Sequence, residues 1–128
     1  MCIFCKIINK EVPSEIIYED DQVIAILDIS QATLGHTLVL TKQHYPNFNE
    51  LPQSLLEHLM VVSQRISKKL INCLEAEGCN ILTNINEVAG QSVFHTHIHI
   101  LPRYKNDDLI IKFTEHQENL AELKSSLV

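Results

Sequence analysis

Glycine and proline are scarce in this chain, with three and four residues in 128. That scarcity excludes a linker-rich or low-complexity architecture, and the sequence contains no internal repeat. Basic residues are also in deficit: ten Lys and Arg stand against 16 Asp and Glu, a formal net charge of −6. A general nucleic-acid binder shows a basic face, so a nucleic-acid polymer is not the expected partner. A single nucleotide stays open, because a pocket can supply its own local donors. No apolar run approaches the length of a membrane span, which removes the membrane as a partner. The opening MCIFCKIINK reaches its lysines only after its apolar residues, which is not the order of an export signal. The expected compartment is the cytoplasm. Cys2, Cys5, Cys73 and Cys79 are then expected as thiols or metal ligands rather than as disulfides.

What is present fits one compact domain. Apolar residues make up 45% of the chain and charged residues 20%, enough for a core without covalent staples. Apolar positions 3, 4, 7 and 8 predict a short N-terminal helix closed off by Pro13. Strands are predicted at Glu15–Glu19, Gln22–Asp28 and His36–Lys42, with Asp20-Asp21 as a turn between the first two. From Pro52 to about Glu77 the period changes to 3.6, with apolar residues at 55, 56, 59, 62, 66, 70, 71 and 74. Gly78 is the expected helix stop. Two further strands are expected at Cys79–Ile85 and Val93–Pro102, and a short helix in the tail beyond Asp107. The order α-β-β-β-α-β-β predicts an α+β fold: a five-stranded antiparallel sheet, one long helix over a face, and a short N-terminal helix.

The last strand carries His95-Thr96-His97-Ile98-His99. Alternate residues of a strand share a face, so the three imidazoles are expected on one side and Thr96, Ile98 and Ile100 on the other. A neutral imidazole is a nucleophile toward phosphorus, and a neighbouring one can donate to phosphate oxygens. The same alternation also suits a metal site, and the pattern by itself leaves both readings open. Gly90, Gln91 and Ser92 lead into the strand; Gly90 permits close backbone approach and Ser92 brings a hydroxyl.

The run His95-Thr96-His97-Ile98-His99-Ile100-Leu101 resembles the His-φ-His-φ-His-φ-φ motif of the histidine triad (HIT) superfamily, in its Hint-like branch. Thr96 is the one departure at an apolar position. The segments IIYEDDQVIAILDIS, HTLVLTKQH and NxxxxxGQSVFHTHIH also look like landmarks of that family. The resemblance covers roughly residues 1–104 as a HIT domain and leaves 105–128 as an unmatched, partly helical tail. It implies an enzyme, a phosphoramidase-like nucleotidyl hydrolase or transferase acting at the α-phosphate of purine nucleotide conjugates. His97 would attack, forming a nucleotidyl-histidine. His99 and Ser92 would serve the phosphate and the leaving group, and Asp28 the ribose. Asn84, Gly90 and Gln91 would line the phosphate side, and Phe4, Ile7, Ile26 and Ile29 the base. The residues themselves leave core packing open for the apolar four, and a turn-forming role open for Asp28. Alternatives are a dinucleoside polyphosphate hydrolase, or a regulatory nucleotide binder with little turnover. A homodimer is also implied, joined through the long helix and the fourth strand.

Cys2-Ile-Phe-Cys5 forms a C-x-x-C pair at the chain's start, outside the strand–helix context of a redox motif. Zinc takes four ligands, and His44 and His95 are the candidates to complete a Cys2His2 set, the residues themselves leaving open two small buried thiols and two uncoordinated imidazoles. The resemblance implies a structural zinc there, closed to water, and no organic cofactor. Under a third reading the triad is only a ligand set for a zinc-dependent interaction module. Strand spacing opposes it, since His95 and His97 stand about 6–7 Å apart. Cys73 and Cys79 are expected as buried thiols, and His58 and His116 as solvated or capping side chains.

Overall fold

The computed structural model describes residues 2–128. A short helix α1 (Ile3–Ile8) is followed by strands β1 (Ile16–Glu19), β2 (Val23–Leu27) and β3 (Thr37–Thr41). The long helix α2 (Gln53–Leu74), strands β4 (Gly78–Leu82) and β5 (His97–Arg103), and a terminal helix α3 (Leu120–Leu127) complete the order. The sheet order is β1-β2-β3-β5-β4, and every neighbouring pair is antiparallel. The fold is therefore the expected α+β arrangement, with β5 inside the sheet and β4 at an edge. No helix among the described residues is long and apolar enough to cross a membrane.

The sheet is covered on both faces, and strand alternation explains how. Val23, Ala25, Val39, Ile98 and Ile100 point to one side and pack on Leu59, Val62, Ile66 and Leu70 of α2. The steps of three and four between those helical residues put them on one stripe. Ile24, Ile26, Leu38 and Leu40 point to the other side, where Phe4 and Ile7 of α1 close over them. Each such side chain, fully buried, stabilises the fold by about 1.5–3 kcal/mol.

Three local expectations are corrected. The helix stops at Glu75, which takes the left-handed conformation with φ 55° and returns its N–H to Ile71 O. Gly78, expected as the stop, instead opens β4. The triad strand starts at His97 rather than Val93. The chain before it is tied to the β3–α2 loop by Thr96, whose N–H and hydroxyl both donate to Tyr45 O. Cys73, expected buried, is exposed, and Cys79 is half-buried.

The β2–β3 connection brings Asp28 and His36 together. Gln31 Nε2 donates to the carbonyls of Asp28 and His36, and Gln31 Oε1 accepts from Gly35 N–H. Gly35 sits at φ +92°, and a side chain there would run into Leu74. Both facts require glycine.

Candidate active site and metal centre

His97 and His99 project from β5 on the α1 side of the sheet, paired across to Leu40 and Leu38 of β3. Their ring centroids are 4.9 Å apart. Phe4 stands edge-on against His97 at 5.0 Å and against His95 at 5.9 Å. His95 thus shares the face of the other two, although it precedes the strand.

The tautomers follow from the partners. His97 Nδ1 lies 2.7 Å from the carbonyl oxygen of His95. A carbonyl only accepts, so Nδ1 carries the proton and Nε2 keeps its lone pair. Burial pushes the His97 pKa down, partly offset by that backbone bond, so the ring is neutral at neutral pH. His99 is pushed down to about 4 by burial and by the adjacent His97 and His36.

His36 is the site residue the sequence reading missed. It is buried, and its Nε2 lies 3.0 Å from His99 Nδ1. Ala32 N–H donates to His36 Nδ1 at 3.1 Å, while the Ser30 carbonyl at 3.3 Å makes the longer contact with that nitrogen. An N–H only donates, so the His36 proton sits on Nε2, and that Nε2–H donates a hydrogen bond to His99 Nδ1. His99 is thereby left as an Nε2–H donor. Asp28 Oδ2 lies 3.5 Å from the same His36 nitrogen, and Asp28 Oδ1 accepts from Ser30 N–H at 2.8 Å. The turn-forming role of Asp28 is therefore realised by one carboxylate oxygen. Asp28, His36 and His99 are also close enough to share a metal ion, but their hydrogen bonds satisfy them without one. A histidine just before β3, directly after the glycine of a tight turn, was the sequence signal available.

These groups border a hollow of about 320 Å³, whose wall includes Phe4, Ile7, Ile26, Asp28, Ile29, Ser92, His97 and His99. Phe4, Ile7 and Ile26 are at once core and wall. Ile29 is almost fully exposed, at 98%, and stands at the rim. Asn84, Gly90 and Gln91 do not border the hollow. Gln91 is buried as a clamp: Oε1 accepts from Asn86 N–H, and Nε2 donates to the Pro46 and Val93 carbonyls. Gly90 lies against Asn84 at φ +100°. A wider hollow of about 500 Å³, between Leu27, Leu34, Leu70 and Leu74, has no histidine in its wall.

Cys2, Cys5, His44 and His95 converge beside the site. Their six ligand-atom separations are nearly equal. Sγ–Sγ is 3.2 Å and Nδ1–Nδ1 is 3.1 Å. The four Sγ–Nδ1 distances are 3.4, 3.4, 3.5 and 3.6 Å. Near-equal edges describe a tetrahedron; zinc bonds of about 2.0–2.3 Å require edges of roughly 3.3–3.8 Å, which the four mixed edges meet and the Sγ–Sγ and Nδ1–Nδ1 edges fall slightly short of. His95 Nε2–H donates to Thr41 O at 2.6 Å, which turns the Nδ1 lone pair toward the cluster. The donor set and its geometry fit a closed four-coordinate ion. Of the remaining histidines, His58 is not simply solvated: its Nε2 meets Asp20 Oδ2 at 2.7 Å and ties α2 to the β1–β2 turn. His116 is exposed.

Known proteins share this architecture. A member of the HIT family from Bacillus subtilis is 42% identical, and its crystal structure matches 98% of this chain and 94% of that one with a TM-score of 0.92. A zinc-bound histidine triad family protein from Mycobacterium smegmatis is 36% identical, with a TM-score of 0.81 over 98% of this chain and 96% of that one. The adenylylsulfatase HINT3 of Arabidopsis thaliana is 41% identical over 108 residues, which are 84% of this chain and 55% of that protein. The model of the HIT domain matches residues 9–106, and the chain belongs to the HIT domain family.

Proposed function

We propose that the protein is a nucleotidyl hydrolase or transferase acting at the α-phosphate of purine nucleotide conjugates, with phosphoramidates as the leading substrate class. The observation that carries this reading is the 2.7 Å bond from His97 Nδ1–H to the His95 carbonyl. It fixes an unprotonated Nε2 on a buried ring in the wall of a nucleotide-sized hollow. The relatedness to an adenylylsulfatase supports the same class.

His97 Nε2 attacks phosphorus, and the bond to the leaving nitrogen or oxygen breaks with its electron pair. The leaving atom takes a proton from the Ser92 hydroxyl in the wall of the hollow, and the proton later lost by the attacking water restores that hydroxyl. Water then attacks the nucleotidyl-histidine, gives up a proton, and releases the nucleoside monophosphate and the free imidazole. His99 Nε2–H donates to the phosphate oxygens as charge builds. Asp28 serves the ribose hydroxyls, and Phe4, Ile7, Ile26 and Ile29 serve the base. Asn84, Gly90 and Gln91 act by holding the β4–β5 loop that delivers Ser92.

A zinc ion held by Cys2, Cys5, His44 and His95 would be structural. With four protein ligands it keeps no open position, and its contribution is to anchor α1 and orient the peptide of His95. A homodimer formed through α2 and β4 completes the reading.

Single-turnover reaction with adenosine phosphoramidate should add the mass of an adenylyl group to the peptide containing His97. His97→Ala should abolish the adduct and lower turnover at least about a thousandfold. Full turnover by that variant would sink the mechanism. Tight AMP binding with no adduct in the native chain would favour a regulatory binder instead.

A further inference from the structure

The hollow beside β5 has an apolar wall broken by five polar side chains: Ser14, Asp28, Ser92, His97 and His99. Four of them have a task in the proposed reaction. Ser14 has none. Its Oγ is buried and meets no hydrogen-bond partner among the described residues. A buried hydroxyl left in that state is costly, and native structures keep few of them. The orphan calls for a partner.

Strand pairing shows where that partner would lie. Ile16 of β1 stands opposite Ile26 of β2. Leu27 N–H donates to Glu15 O at 2.9 Å, which carries the register one step further. The next step brings Ser14 alongside Asp28. Ile26 packs on the α1 side of the sheet, and strand alternation puts Asp28 and Ser14 on that same side. Side chains opposed across an antiparallel pair stand about 4.5–5.5 Å apart at Cβ. Asp28 is engaged elsewhere: Oδ1 accepts from Ser30 N–H, and Oδ2 lies 3.5 Å from His36 Nε2.

The space between the two suits a sugar diol. A carboxylate only accepts, so Asp28 can take the hydrogen bond of a sugar hydroxyl but offers none to its oxygen. The other groups of the wall are committed. His97 Nε2 carries no proton, His99 Nε2–H is assigned to the phosphate, and the Ser92 hydroxyl serves the leaving atom. Ser14 supplies the missing O–H. Its χ1 has three staggered wells, and one turn carries the hydroxyl from its orphaned place into the hollow.

We propose, on the reading of the hollow as a nucleotide site, that Ser14 reads the sugar: its hydroxyl donates to one ribose hydroxyl oxygen, and that hydroxyl donates to Asp28. The two bonds run in one direction, so each polarises the other. Ser14 then selects ribose over deoxyribose, because a nucleotide lacking the bridging hydroxyl leaves both side chains unpaired.

Equilibrium binding of AMP, 2′-deoxy-AMP and 3′-deoxy-AMP to the native full-length chain and to Ser14→Ala closes a double-mutant cycle. Ser14→Ala should bind AMP about fivefold more weakly. Deleting the bridging hydroxyl from the ligand should cost the native chain about fivefold more affinity than it costs the variant. Urea unfolding reports on folding separately. With no native partner to lose, the variant should match or exceed the native midpoint; a destabilised variant would give the hydroxyl a structural bond and overturn the proposal. Equal AMP affinity in the two chains, or deoxy losses that are the same in both, overturns the role of Ser14 and leaves the nucleotide site standing. A native chain that binds none of the three ligands overturns the nucleotide reading, and the role of Ser14 with it.

Discussion

Two hydrogen bonds give the imidazoles of β5 opposite faces. His97 Nδ1–H donates to a carbonyl, leaving a lone pair on Nε2, while His99 Nδ1 accepts from His36 Nε2–H, leaving an N–H on Nε2. In the proposed reaction the nucleophile and the donor are thus told apart by their neighbours. His36→Asn should lower kcat about a hundredfold with little change in KM, because His99 is then free to adopt the other tautomer. The loss should shrink as pH falls, since an imidazolium donates from both nitrogens; a deficit constant with pH would contradict the relay. The native enzyme's acid limit has a defined sign. Burial lowers the pKa of His97 from 6.5, and that of His99 to about 4, so both rings stay neutral to lower pH than an ordinary histidine. The acid limb of kcat/KM should therefore lie below pH 6.5. Stability follows by linkage: below 6.5 the unfolded chain takes up protons that folded His99 refuses until about pH 4. Stability is full above 6.5 and is lost as pH falls across that window. Denaturant titrations at pH 7.5 and 5 would measure the loss.

Helix α1 has six residues and could not persist unaided. The Cys2 thiol caps it through Cys5 N–H, and both thiols belong to the metal-ligand set. Because Phe4 and Ile7 wall the hollow, a zinc ion bound there would reach a substrate through this helix. Elemental analysis should read about one zinc per native chain and none in Cys5→Ser, and that variant should raise KM about tenfold or more, with a smaller effect on kcat. Gly35 plays a comparable part in the β2–β3 turn. Gly35→Ala, strained at φ +92° and pressed on Leu74, should destabilise the fold by about 1–3 kcal/mol in urea unfolding. These elements also show what the sequence made legible. Period-two and period-3.6 patterns located every strand and α2, because burial on one face is written as spacing. The C-x-x-C pair and the triad were legible as chemistry. The stop at Glu75 was not, since a non-glycine left-handed residue leaves no local mark. His36 was hidden because its role depends on His99, 63 positions away. The clamping by Gln91 depends likewise on the distant Pro46 carbonyl.

For the molecule as a whole, the site draws on almost the full length of the chain. The ligand pair Cys2 and His95 is separated by 93 positions, and β5 enters the sheet between β3 and β4, both made before it. The coupling this creates is mechanical. His95 stands just before β5 and belongs to the candidate ligand set, while His97 and His99 lie on the strand itself, paired with Leu40 and Leu38 of β3. A change that slides or tilts β5 against β3 therefore displaces the candidate metal centre and the candidate reaction centre together, and neither can be retuned alone by moving that strand.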